Sequence, residues 1–115
     1  MIVGIQGSRD FQDYAVFLTA MHRILSKFPE GDKEFTILSA GPYKVNDMAY
    51  TFINVSNWKS RGIRAKVVKM PPKALVERMV DMDEFVYLCL PKEPESFLVK
   101  EAEDHDIIPQ ISRYP

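Results

Sequence analysis

Only one of the 115 residues is cysteine, and a single thiol makes neither an internal disulfide nor a thiolate zinc site. That residue, Cys89, stands in the apolar run FVYLCL, where free cysteine behaves as a small buried hydrophobe. Histidine is nearly as scarce. His22 and His105 share no HxxxH or HxH spacing, so no metal site and no cofactor is expected, and His105, between Asp104 and Asp106, reads as a surface residue. The chain has no apolar run of 18 residues and no leader pattern, which argues against a membrane partner and makes a cytoplasmic location the expectation. Charge of one sign is lacking too: 15 Lys and Arg face 16 Asp and Glu, so no global field recruits nucleic acid, a membrane or an acidic partner.

An apolar content of 46% over 115 residues suffices for one ordinary core, and no repeat, low-complexity tract or linker divides it. One domain over 1–115 is expected. Short apolar runs recur at Ile2–Ile5, Phe35–Leu38, Ala65–Val68, Phe85–Leu90 and, weakly, Ile107–Ile111. Between them lie stretches of helical period. The first carries Tyr14, Phe17, Leu18, Met21, Ile24, Leu25 and Phe28 on one face and stops at Pro29 and Gly31. The second carries Val45, Met48, Ala49, Phe52 and Ile53 and continues through Trp58 to Arg61-Gly62. A third runs from Pro72 to about Met82 and a fourth from about Pro94 to Asp104, whose acidic end in VKEAEDHD reads as a solvated face. Nearly continuous apolar strands belong to parallel sheets covered on both faces. Alternation of strand and helix then predicts a three-layer, doubly wound α/β domain with a mainly parallel five-stranded sheet and a central first strand.

In such a sheet, ligands bind beyond the carboxyl ends of the strands, near the point where strand order reverses. The loops there are Gly7-Ser8-Arg9-Asp10, Ser39 to Lys44, and Leu90 to Ser96. Each precedes a helix whose first N–H groups are unpaired, so together they make a phosphate-sized cradle. Gly7 and Gly41 let backbone approach a ligand, Arg9 binds phosphate or carboxylate bidentately, Lys44 adds a point charge, and Tyr43 can stack on a base or sugar. A plainer account fits the same residues: Asp10 or Asp13 as a helix cap, Gly41-Pro42 as a turn, Arg9 as a surface partner of a carboxylate. GIQGSRD lacks the third glycine of a dinucleotide fingerprint, and no Walker motif occurs.

The apolar strand running into GSRDF and an amphipathic helix resembles the YspA/YpsA-related branch of the SLOG superfamily, the Rossmann-like group that also holds the LOG (Lonely Guy) and DNA-processing DprA proteins. Members follow their second strand with Gly-Gly-x-x-Gly-x-Asp; here SAGPYKVND takes that place, with Gly41 and Asp47. LOG enzymes carry Pro-Gly-Gly-x-Gly-Thr after the fourth strand and a glutamate in the next helix. Here LPKEPES keeps Pro91 and offers Glu93 or Glu95 without those glycines. The resemblance implies a Rossmann-like fold that binds a nucleotide or nucleotide-derived molecule through Gly7, Ser8, Arg9, Gly41 and Asp47.

Three functions follow as expectations. The first is sensing or sequestration of a phosphorylated, nucleotide-derived small molecule. The second is a nucleotide N-glycosidase or phosphoribohydrolase, with Glu93 or Glu95 working opposite Arg9. The third is a protein-interaction module on a degenerate copy of the fold, as in small accessory or phage-encoded domains. Tyr50, Phe52 and Trp58 exceed one core stripe, so they either form a homodimer face or close the bottom of the core. WKSRGIRAKVVK concentrates Lys59, Arg61, Arg64, Lys66 and Lys69 beside Trp58, a weaker pointer to single-stranded nucleic acid.

Overall fold

A computed structural model describes residues 1–113. Its elements are β1 (Ile2–Gly7), α1 (Tyr14–Leu25), β2 (Glu34–Ser39), α2 (Tyr43–Val55), β3 (Arg64–Lys69), α3 (Pro72–Arg78), β4 (Glu84–Cys89), α4 (Phe97–Asp104) and β5 (Gln110–Arg113). The strands form one sheet in the order β3-β2-β1-β4-β5, with every adjacent pair parallel and β1 in the centre. The doubly wound sheet expected from the strand and helix periods is the fold.

Register explains the two cores. Val3 and Ile5 of β1 share a face with Phe35 and Ile37 of β2 and with Val86 and Leu88 of β4. That face is covered by Phe17, Met21 and Ile24 of α1 and by Val45, Met48 and Phe52 of α2. The opposite face offers Leu38, Phe85, Tyr87 and Cys89 to Leu75 of α3 and to Leu98 and Ala102 of α4. Cys89 is fully buried in this second core, as its apolar context requires. Two helices per face cover the sheet, so the chain must reverse its winding between β3 and β4, which places the topological switch point between β1 and β4.

Four element boundaries depart from expectation, each for a local reason. The second helix stops at Val55 instead of running through Trp58: Ser56 is extended and its hydroxyl bonds back to the Phe52 carbonyl at 2.7 Å. Trp58 instead opens a single 3-10 turn, Lys59–Arg61, closed by Gly62 in the left-handed conformation at φ 69°. The fourth helix begins at Phe97, not Pro94, because Ser96 is its cap and accepts from the Leu98 amide. The third helix ends at Arg78 and passes into a 3-10 turn over Met79–Asp81. The last strand begins at Gln110, not Ile107, because the Ile107 amide turns back to the Ala102 carbonyl at 2.9 Å.

The aromatic surplus of the second helix is largely core. Phe52 and Trp58 are buried, and Trp58 stacks on Phe35 with ring centroids 5.1 Å apart, whereas Tyr50 remains partly exposed. Among the described residues no helix is long and apolar enough to cross a membrane.

Candidate functional site at the carboxyl edge

Parallel strands deliver all their following loops to one edge, and hydrogen bonds fasten three of those loops together there. The Ala40 amide donates to the Ile5 carbonyl and the Gly7 amide to the Gly41 carbonyl, both at 2.9 Å, so the ladder between β1 and β2 runs on into their loops. On the other side the Ser8 amide donates to the Leu88 carbonyl of β4 at 2.7 Å. Gly7 fits this crowded position because it lacks a side chain: a Cβ would collide with Val45 of α2. Gly41 serves differently. It holds φ 85°, a conformation disfavoured for side-chain-bearing residues, and turns the chain into α2 through a cis bond to Pro42.

Ser8 and Glu93 meet across the switch point. The Ser8 hydroxyl donates to Glu93 Oε1 at 2.7 Å, and the Leu90 amide donates to the same oxygen at 2.6 Å. Glu93 thereby ties the loop after β4 to the loop after β1. Glu95 lies exposed two residues further along.

Next to buried Ser8, Arg9 is exposed and makes no hydrogen bond or ion pair with any carboxylate among the described residues. Lys44, in the first turn of α2, donates to Gln12 Oε1 at 2.9 Å, a neutral acceptor that leaves its charge uncompensated and draws it towards the Arg9 loop. Tyr43 precedes it with 76% of its surface exposed. Asp13, not Asp10, caps α1, its carboxylate accepting from the Val16 amide at 3.1 Å. A hollow of about 480 Å³ opens beside this cap between Asp10, Gln12, Tyr14 and Leu90. The Tyr14 hydroxyl oxygen is buried without a hydrogen-bond partner among the described residues, and burial raises the phenol above its ordinary pKa.

Seven residues expected at a ligand site thus divide. Gly7, Ser8, Arg9 and Gly41 are joined by backbone, and Tyr43 and Lys44 stand at the adjoining helix start. Asp47 lies on the exposed side of α2, and its carboxylate makes no hydrogen bond or ion pair among the described residues. The side chain that returns to the sheet edge is its neighbour Asn46, whose Oδ1 accepts from the Ser39 hydroxyl. Asn46, Gln12 and fully buried Phe11 escaped the sequence reading. Phe11 carried a usable signal, since an aromatic directly after a polar GSRD turn has no reason to be solvated.

The basic segment does not form one track. Lys69 lies over the Tyr50 ring at 6.0 Å on the α2 side, and Arg61 over Trp58 at 5.8 Å. Arg64 bonds Glu34 at 2.7 Å, and register puts Arg64 and Lys66 on the opposite face of the sheet. A more voluminous hollow, about 670 Å³, opens at the amino ends of β4 and β5 between Val80, Asp83 and Ile108, away from all the expected site residues.

Comparison of the chain with protein-family models, curated proteins and solved structures finds no match in any of the three.

Proposed function

We propose that the carboxyl edge of the sheet binds a phosphorylated, nucleotide-derived small molecule, and that the protein senses or sequesters it. One observation carries this: Arg9 and Lys44, two cations without carboxylate partners among the described residues, flank loops pinned together by the Gly7–Gly41 hydrogen bond, with exposed Tyr43 beside them. Guanidinium and ammonium groups held by a rigid edge suit a phosphate, and an exposed phenol ring suits a base or sugar. The hollow beside Asp10 and Gln12 supplies acceptors for sugar hydroxyls. The likeness of GSRDF to the SLOG group points the same way.

The test is calorimetric titration of the purified protein with a panel of nucleoside mono-, di- and triphosphates, together with mass spectrometry of any small molecule released on denaturation. Binding by at least one phosphorylated nucleotide is the expected result. Absence of binding at millimolar concentration would instead favour a protein-interaction module.

A nucleotide N-glycosidase is the second reading, favoured by the placement of the Glu93 carboxylate at the switch point, where it is hydrogen-bonded to Ser8, the residue before Arg9. Release of free base from a bound nucleotide, abolished by Glu93→Gln, would establish it.

A further inference from the structure

We propose that Ser8 Oγ and the Leu90 amide form an anion subsite that the protein fills with its own Glu93 carboxylate, and that a phosphate group binds there by displacing Glu93. The inference rests on the ligand reading above and adds to it the phosphate donors and the residue that competes for them.

The geometry has three parts. Two donors from different loops converge on one oxygen, Glu93 Oε1, at 2.7 and 2.6 Å. Convergence of a hydroxyl and a backbone N–H on a single anionic oxygen is how proteins commonly hold a ligand's phosphate or carboxylate oxygen. The second part is location. The two donors stand just beyond the carboxyl ends of β1 and β4, on either side of the switch point, where ligands of doubly wound sheets bind. Third, Glu93 takes these donors although Arg9 follows Ser8 directly, and Arg9 makes no ion pair among the described residues. Glu93 fills the neutral donor pair, and the guanidinium of the residue next to Ser8 in the chain is left for the incoming anion.

The carboxylate is placed to leave. Glu93 is only partly buried, and its loop contains exposed Pro91 and Lys92, the latter at φ 67°, with exposed Pro94 following. An incoming phosphate monoester would take the Ser8 and Leu90 donors, add Arg9, and release Glu93 to water. No bond is made or broken in this exchange. Its consequence is that the apparent affinity of the subsite is the intrinsic affinity multiplied by the fraction of molecules in which Glu93 has left it.

Titration of the full chain with inorganic phosphate and with adenosine 5′-monophosphate, at low ionic strength, tests the exchange. Wild type should bind weakly and Glu93→Ala about tenfold or more tightly, since a charge-assisted pair of hydrogen bonds no longer competes. Glu93→Gln keeps an acceptor oxygen without the charge and should fall between them. Ser8→Ala introduced into the Glu93→Ala protein should remove most of the gain, and thermal melts of each variant establish that it is folded. Equal affinity in wild type and Glu93→Ala, or weaker binding by Glu93→Ala, would overturn the exchange while leaving the ligand site standing. Failure of every folded variant to bind either probe, with no binding across the nucleotide panel, would remove the ligand site and the exchange together.

Discussion

The Gly7 amide lies 2.9 Å from the Gly41 carbonyl, joining the loops after β1 and β2 backbone to backbone at the edge where Arg9 and Lys44 emerge. Because the bond uses main-chain atoms, it holds the loops in place whatever side chains surround them. The functional groups therefore sit on a rigid frame, and a change in the frame should be separable from a change in the groups it carries.

Gly7→Ala tests the frame. The added methyl would collide with Val45 and crowd the Leu88 carbonyl, so a loss of about 1–3 kcal/mol is expected from overpacking. Val45→Ala opens space at the collision. Chemical denaturation of both singles and the double mutant should then show the double losing less than the sum of its parts. Simple additivity would mean that Val45 is not the obstacle.

Arg9→Ala tests the groups. Loss of a guanidinium that contacts a bound phosphate should weaken binding by about 1.5–3 kcal/mol, and exposure of Arg9 without a partner means the melting temperature should hardly move. Titration alongside melts separates the two quantities. A lower melting temperature with unaltered binding would assign Arg9 to stability instead.

The fold was legible because burial on both sheet faces leaves continuous apolar strands, and β1, β2 and β4 have that pattern. Boundaries were less so. Trp58 continues the helical period of α2, but the hydroxyl of Ser56 bonds to Phe52 and the chain leaves the helix before reaching it. At the edge, Gly7 to Arg9 could be read because a glycine, a hydroxyl and a guanidinium follow an apolar run. The contact between Ser8 and Glu93 spans 85 positions, and nothing local in LPKEPES indicates that Glu93 turns towards β1 while Glu95 stays exposed. Asn46 was hidden for a similar reason. Its neighbour Asp47 fits the glycine-rich pattern of the resembled group better, yet helix phase directs Asn46 to Ser39.

The cap at the start of α1 distinguishes two aspartates three positions apart. Asp13→Ala removes the acceptor of the Val16 amide and should cost about 0.5–2 kcal/mol, whereas Asp10→Ala, at an exposed position outside the cap, should cost little. Denaturant midpoints of the two variants measure this directly. Equal losses would place both carboxylates in the structure of the turn.

Acid should weaken the fold partly through Asp32. Its carboxylate accepts from the amino-terminal ammonium at 2.6 Å and from the Glu34 amide at 3.0 Å, and these bonds hold its pKa below the ordinary carboxylate value. A folded-state pKa below the unfolded one contributes stability that is fully present above the unfolded value and is lost as pH falls through the folded value. Melting temperature followed through the acid range should therefore decline less steeply for Asp32→Asn than for wild type. Parallel declines would show that this carboxylate contributes nothing to the acid transition.

Trp58 is the residue on which the core and interface readings of the aromatic surplus part most clearly. It is 6% exposed, stacked on Phe35 at 5.1 Å and edge-on to Phe52 at 6.0 Å, and its indole nitrogen has no hydrogen-bond partner among the described residues. Truncation to alanine removes ring contacts that the surrounding core cannot replace, so Trp58→Ala should lose about 3–5 kcal/mol. Trp58→Phe keeps an aromatic ring in the stack and removes only a donor that bonds to nothing among the described residues, so it should cost clearly less. As the sole tryptophan, Trp58 also reports its own surroundings: wild-type emission should be shifted to short wavelength and move to the red on unfolding. Denaturation followed by circular dichroism, with sedimentation of all three proteins, completes the test. A change in oligomeric state on Trp58→Ala with stability unchanged would return this ring to an interface between subunits.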